Sequence, residues 1–157
     1  MNNEFDTHIT RYLTEQGVSY RLMPHQTPAK TIEDAAKQRG IHPKQMVKSI
    51  VLKELGGRYA LACVPGNKAV DPKKVRAIFQ GRRMTCVNIE DVALITGYQV
   101  GTVTPLLLLT SMPIIFDRQL LNEQQVTISS GTQMAGIALR CQDLVALCHP
   151  IIADIVR

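Results

Sequence analysis

Apolar positions recur along the 157-residue chain with two periods, and the alternation between those periods sets the expected elements. Phe5, Ile9, Tyr12 and Leu13 follow helical spacing, and Gly17 closes that segment. VSYRL then predicts a short strand, and PHQTPAK, with Pro24 and Pro28, predicts a stiffened loop. Thr31 with Asp34 three residues on has the form of a capping box, opening a helix that stops at Gly40. MVKSIVLK, residues 46–53, is a strand of branched residues, and the glycines at 56 and 57 turn the chain into RYALACV. Pro65-Gly66-Asn67 closes that strand.

Asp71 followed by Pro72 supplies an N-cap and a first-turn proline for the next helix. RMTCV predicts a further short strand, and Asn88 caps a helix running to about Ile95. Strands are expected near 113–117, 125–129 and 136–140, then two helical segments divided near Pro150. Strands and helices mix without a regular βαβ repeat. The expectation is an α/β domain with a mixed, strongly curved, barrel-like β-sheet surrounded by helices, forming a single domain over residues 1–157. A chain of this length can bury roughly 70% of its unfolded surface in one core.

Composition narrows the function classes. No apolar run approaches the ~20 residues needed to span a bilayer. MNNEFDTHIT lacks a basic start followed by an apolar block, so no secretion signal is read and a cytoplasmic protein is expected. Cys63, Cys86, Cys141 and Cys148 show no C-x-x-C spacing, and three lie in apolar segments, where cysteine acts as a small hydrophobe. His8, His25, His42 and His149 are equally dispersed, so no metal site and no cofactor are expected. No G-x-G-x-x-G or P-loop pattern follows a strand.

The net charge of +5 is unevenly distributed. Lys68, Lys73, Lys74, Arg76, Arg82 and Arg83 crowd into one stretch opposed only by Asp71. Two readings stand here: a surface that attracts a polyanion through counterion release, or an ordinary solvated helix face. Aromatics are few and tryptophan is absent, which argues against a stacking platform for single-stranded RNA.

Three places could carry chemistry. Strand alternation puts Lys48 on one face with Ile50 and Leu52, while Ser49 shares the other with Val47 and Val51. An ammonium on an apolar face either meets an anion or dipole, or snorkels to water from the strand's end. Gly101 and Pro105 bracket GTVTP, where glycine can bare a backbone N–H and proline fixes the exit. Such amides suit a carbonyl oxygen gaining charge or a phosphate, and Thr102 and Thr104 add hydroxyls. Ser129, Ser130 and Gly131 form a small-residue turn that ordinary hairpin chemistry also explains. No nucleophile has an obvious base, and no G-x-S-x-G occurs.

Taken in order, VKSIVL, VPGNKAVDPKKV, TGYQVGTVTP, ISSG and IALRCQDL resemble the YbaK/EbsC family, the synthetase-associated aminoacyl-tRNA editing domain. The resemblance runs from about Val18 to Leu147. It implies a free-standing relative of the editing domain in bacterial prolyl-tRNA synthetases, hydrolysing the ester of a wrong amino acid on tRNA. On that analogy Lys48 and Gly101 are the catalytic positions. His25, Ser49, Thr102, Thr104, Pro105, Ser129, Ser130 and Gly131 would bind substrate, and the six basic residues would bind tRNA. The implied partners are mischarged tRNA and a prolyl-tRNA synthetase, with no membrane.

The pattern also departs from the family. Thr102 stands where a second glycine is common, and His25 where the cysteine-specific branch has tyrosine. Gly136 replaces that branch's aspartate, and Ser49 the asparagine of the alanine-specific branch. The amino acid removed is therefore open. A non-catalytic tRNA- or synthetase-binding module of the same fold, and a hydrolase or binder of small aminoacyl-like molecules, remain as alternatives.

Overall fold

The structure, a computed structural model, describes residues 5–157. Residues 1–4, the start of the stretch read above for a secretion signal, lie outside that range. Helices α1 (His8–Glu15), α2 (Ile32–Arg39), α3 (Pro72–Phe79), α4 (Ile89–Thr96) and α5 (Cys141–Cys148) alternate irregularly with eight strands. These are β1 (Tyr20–Pro24), β2 (Val47–Glu54), β3 (Tyr59–Pro65), β4 (Met84–Cys86), β5 (Ile114–Asp117), β6 (Gln125–Ser129), β7 (Ala135–Arg140) and β8 (Ile151–Ala153).

The start signals act largely as their chemistry requires. The Thr31 hydroxyl accepts from the Asp34 N–H, and Gly40 ends α2 in the left-handed conformation with φ 69°. The Asp71 carboxylate accepts from the Lys73 N–H at the head of α3. Asn88 occupies the corresponding position before α4 but makes no side-chain cap bond. Glu90 and Asp91 sit in that helix's first turn, where negative charge meets the positive end of the dipole.

The expected barrel-like sheet is replaced by two open sheets. One is antiparallel, in the order β1-β7-β6; the other is mixed, in the order β4-β2-β3-β5-β8. Strand β3 pairs antiparallel with β2 and parallel with β5, and β5 pairs parallel with β8. Among the described residues, one isolated parallel bridge, Met46 to Thr127, joins the two sheets. The second C-terminal helical segment is also corrected, because Ile151–Ala153 is a strand. Pro150 cannot continue a helix, and two β-branched isoleucines follow it onto the free edge of β5.

Alternation along β2 and β3 explains the core. Val47, Val51, Leu61 and Cys63 face the other sheet and join Ile9, Leu13, Phe116, Ile128, Ile137 and Leu144. Leu52, Ala60, Ala62 and Val64 face the opposite way and pack with Val75 of α3, Ile115 and Ile155. The larger sheet is therefore covered on both faces, and each fully buried Leu or Ile contributes roughly 1.5–3 kcal/mol. Among the described residues, no helix is long and apolar enough to cross a membrane.

Candidate functional site

Strand β4 pairs with only the last part of β2, Leu52 to Glu54, and Val87 N–H then bonds the Val51 carbonyl at 3.0 Å. The rest of that β2 edge, Val47 to Ile50, with Met46 just before it, lines a cavity of about 550 Å³. Backbone groups of alternate residues point to the same edge, so Ser49 turns its N–H and C=O the same way as Val51. The opposite wall comes from Ile32, Ala35 and Arg39 of α2 and from Ser129, Thr132 and Gln133. Val92 of α4 and Val100, Gly101 and Val103 of the following loop close a third side.

Lys48 is half-buried on this wall. Its Nζ donates to the Lys68 carbonyl, so the amine is steered by a dipole and not by a carboxylate. Burial pulls its pKa below the ordinary value, against a weaker opposing pull from Glu33. Ser49 places its Oγ 3.5 Å from the Cys63 Sγ, beneath the cavity floor. Burial pushes the Cys63 thiol up to about 12, and it pushes Cys148 upward as well, so neither supplies a thiolate at neutral pH.

The loop after α4 is a tight turn. Gly101 adopts φ 86°, a conformation costly for a residue with a Cβ. Thr102 donates both its N–H (2.9 Å) and its Oγ1 (2.8 Å) to the Gln99 carbonyl. The N–H groups of Gly101 and Val103 have no hydrogen-bond partner among the described residues, and both residues line the cavity. Thr102, Thr104 and Pro105 are buried behind that wall, and Thr104 Oγ1 has no hydrogen-bond partner among the described residues. Sequence reasoning expected the two threonines to bind substrate; here both are buried, and Thr102 bonds back within the turn to Gln99.

The same division splits the ISSG turn. Ser129 lines the cavity, whereas Ser130 is fully buried with its carbonyl accepting from Thr7 Oγ1 at 2.7 Å. Gly131 stands at φ 97° and donates its N–H to Ser129 Oγ at 3.1 Å. His25, Lys48, Ser49, Gly101 and Ser129 are thus brought together on one cavity wall or another.

His25 is buried with both ring nitrogens engaged. Nδ1 lies 2.8 Å from the Gln133 carbonyl and therefore donates, which leaves Nε2 to accept from Arg39 Nε at 3.1 Å. Arg39 Nη1 also donates to Thr127 Oγ1 at 3.0 Å. Burial lowers the His25 pKa, and the Gln133 carbonyl opposes that shift. Burial lowers Arg39 to about 10. The guanidinium lies where a Cβ on Gly136 would sit, at 2.2 Å from Nε, so the absence of a side chain at 136 makes its place. Sequence reasoning missed Arg39, Thr127 and Gln133. A basic residue in a helix's last turn before glycine reads as dipole compensation, which concealed Arg39.

The six basic residues do not share one fate. Lys73, Arg76, Arg83 and Arg157 line an open cleft of about 630 Å³ in which, among the described residues, Asp71 is the one acidic side chain. Lys74 instead bonds Asp154 at 3.1 Å and the Val156 carbonyl at 2.7 Å, tying α3 to the C-terminal segment. Lys68 is exposed and receives Lys48 on its carbonyl, and Arg82 gives its N–H to Glu54 at 3.0 Å. Cys86 lines both the basic cleft and the cavity, so the two adjoin.

Residues 26–147 match the family described as the aminoacyl-tRNA editing domain. A proline–tRNA ligase of Bacillus licheniformis is 36% identical over 92 residues, which are 58% of this chain but 16% of the ligase. The chain thus spans under a fifth of that relative. A candidate Cys-tRNA(Pro)/Cys-tRNA(Cys) deacylase, EbsC of Enterococcus faecalis, is 22% identical over 123 residues, covering 78% of this chain and 75% of that one. The crystal structure of a candidate trans-editing enzyme for prolyl tRNA synthetase superposes with a TM-score of 0.84 at 25% identity. The match covers 97% of this chain and 99% of the other.

Proposed function

The chain belongs to the aminoacyl-tRNA editing domain family, and from that premise we propose that it is a trans-editing deacylase. It hydrolyses the ester joining a small, wrongly attached amino acid to the 3′ end of tRNA. One observation carries the reading: a single cavity gathers Lys48, Ser49, Ser129 and the unpartnered amides of Gly101 and Val103, and a basic cleft adjoins it.

In this reading the cleft residues Lys73, Arg76, Arg83 and Arg157 hold the phosphates of the acceptor end. Lys48, its amine directed by the Lys68 carbonyl, orients the terminal nucleotide as a cation. The aminoacyl ester then lies under the Gly101–Pro105 turn. A water oxygen bonds to the ester carbon, the carbonyl oxygen gains charge facing the Gly101 and Val103 amides, and the C–O bond to the ribose breaks. The ribose oxygen leaves with a proton that originates on the water. An aminoacyl ester is already activated, so positioning and oxyanion stabilisation suffice and no protein nucleophile is needed. A cysteinyl substrate could use its own thiol in place of water. The whole of residues 1–157 would act as one such domain, working in the cytoplasm on mischarged tRNA beside a prolyl-tRNA synthetase.

A second reading is a non-catalytic tRNA- or synthetase-binding module. It is favoured by Thr102, whose N–H and hydroxyl are both spent on Gln99 and thus withdrawn from any oxyanion. The test is deacylation of tRNAs charged with Cys, Ala, Ser, Thr, Pro and Asp. Selective release of one amino acid supports editing. Uniform inactivity together with salt-sensitive tRNA binding supports the module.

A further inference from the structure

The charges lining the cavity are all of one sign. Among the described residues, Lys30, Arg39 and Lys48 line it, and no aspartate or glutamate does. Lys48 rests on the Lys68 carbonyl. Arg39 is the unusual member, because among the described residues no carboxylate lies within ion-pair distance of it. The nearby acid, Asp34, is spent on Gln38 Nε2 at 3.3 Å and the Lys30 N–H at 3.3 Å. A part-buried guanidinium without a counter-ion is costly, and an anion would offset that cost.

Its neighbours fix the direction in which it can bind. Nε is committed to His25 Nε2 and one N–H of Nη1 to Thr127 Oγ1, so two edges of the fork are anchored. His25 is itself held by Gln133, which keeps the ring from turning. Nη2 makes no hydrogen bond among the described residues. Gly136 leaves the space in which this plane lies. The result is a preorganised donor edge on the wall of the cavity, the geometry in which guanidinium distinguishes a carboxylate from its neutral isostere.

We propose that Arg39 is the counter-ion for a side-chain carboxylate on the aminoacyl group, so that the cavity selects a small acidic amino acid, aspartate in size. This inference rests on reading the cavity as the site for the aminoacyl end of tRNA. His25 and Thr127 are positioning residues for the guanidinium and do not touch the substrate. Among the described residues no carboxylate lines the cavity or pairs with Arg39, so the substrate's own acid would be the guanidinium's counter-ion.

The test uses non-hydrolysable amide analogues, 3′-deoxy-3′-(aspartylamino)adenosine and its asparaginyl counterpart, titrated against the full chain by calorimetry. The two differ in charge and hardly in shape. The wild-type protein should bind the aspartyl analogue about tenfold more tightly or better, as expected for charge-assisted bonds. Arg39→Gln should bring the two affinities together, and Arg39→Lys should keep part of the preference. Gly136→Ala offers an independent probe, because the three atoms nearest its methyl all belong to the flexible end of Arg39, so it displaces the guanidinium without removing it. It should also reduce the aspartyl preference, with thermal melts confirming the fold of each variant.

Equal binding of both analogues by the wild type overturns the inference whatever the variants do. So does a loss in Arg39→Gln that is equal for both analogues, which would mark Arg39 as purely structural. Deacylation of Asp- and Asn-tRNA, run in parallel, separates this inference from the proposed function. An aspartyl preference in binding without ester cleavage sinks the editing activity alone. Cleavage with no preference sinks the role of Arg39 alone.

Discussion

The cavity and the basic cleft adjoin at Cys86, yet they carry positive charge in opposite ways. In the cleft, Lys73, Arg76, Arg83 and Arg157 are all exposed, within reach of a phosphate backbone, with Arg76 Nε on the Gly81 carbonyl at 3.1 Å and Arg157 Nε on the Val70 carbonyl at 3.3 Å. In the cavity, Arg39 and Lys48 are part-buried and each is steered by a fixed partner. Exposed charge is screened by salt and supplies attraction with little geometry. Buried charge costs solvation but holds a direction, and direction is what discrimination and catalysis require. The difference assigns capture to one region and selection to the other.

The largest effect that would break this division comes from the cleft. Reversing Lys73, Arg76 and Arg83 to glutamate should weaken tRNA-dependent deacylation by about a hundredfold near physiological salt, while leaving cleavage of a small aminoacyl ester almost unchanged. The salt dependence of tRNA binding should flatten, by roughly one unit of log–log slope for each phosphate no longer neutralised. Equal reductions on both substrates would merge the two regions into one. Next in size, Gly101→Val forces a β-branched residue to φ 86°, at a cost of about 1–2 kcal/mol. If the turn holds the ester, kcat should fall about tenfold on tRNA and small ester alike, with tRNA affinity retained.

The smallest effect concerns His25. Burial holds its folded pKa below the ordinary 6.5, so the unfolded chain takes up a proton that the folded chain refuses. Its contribution to stability is complete above pH 6.5 and declines as the pH falls below that value. Urea titrations between about pH 7 and 5 should show this decline in the wild type and a shallower one in His25→Gln. An unchanged slope in the variant would remove His25 from the set of buried neutral groups.

Some of this was readable from residue order, and the reasons are physical. Lys48 stood out because strand alternation placed it among apolar neighbours, and Thr31, Gly40 and Asp71 signalled helix ends through bonds spanning only a few residues. Gly101 was legible because a positive φ favours glycine. Strand order was not, since nothing local says that β5 joins β3 in parallel or that β1 and β7 form a separate sheet. Ile151–Ala153 was misread because a short apolar run serves helix and strand equally, and the free edge of β5 decided it. Arg39 needed four distant partners, His25, Thr127, Gln133 and Gly136, before it ceased to look like a helix-terminal cation.

The central claim is that the cavity cleaves an aminoacyl-tRNA ester with Lys48 as an orienting cation. The most direct measurement is single-turnover deacylation of the preferred charged tRNA by wild type, Lys48→Ala and Lys48→Arg, with melting temperatures recorded for each. The account predicts that Lys48→Ala folds normally and loses about a hundredfold or more in rate, while Lys48→Arg keeps part of it. A well-folded Lys48→Ala protein cleaving at the wild-type rate would contradict it.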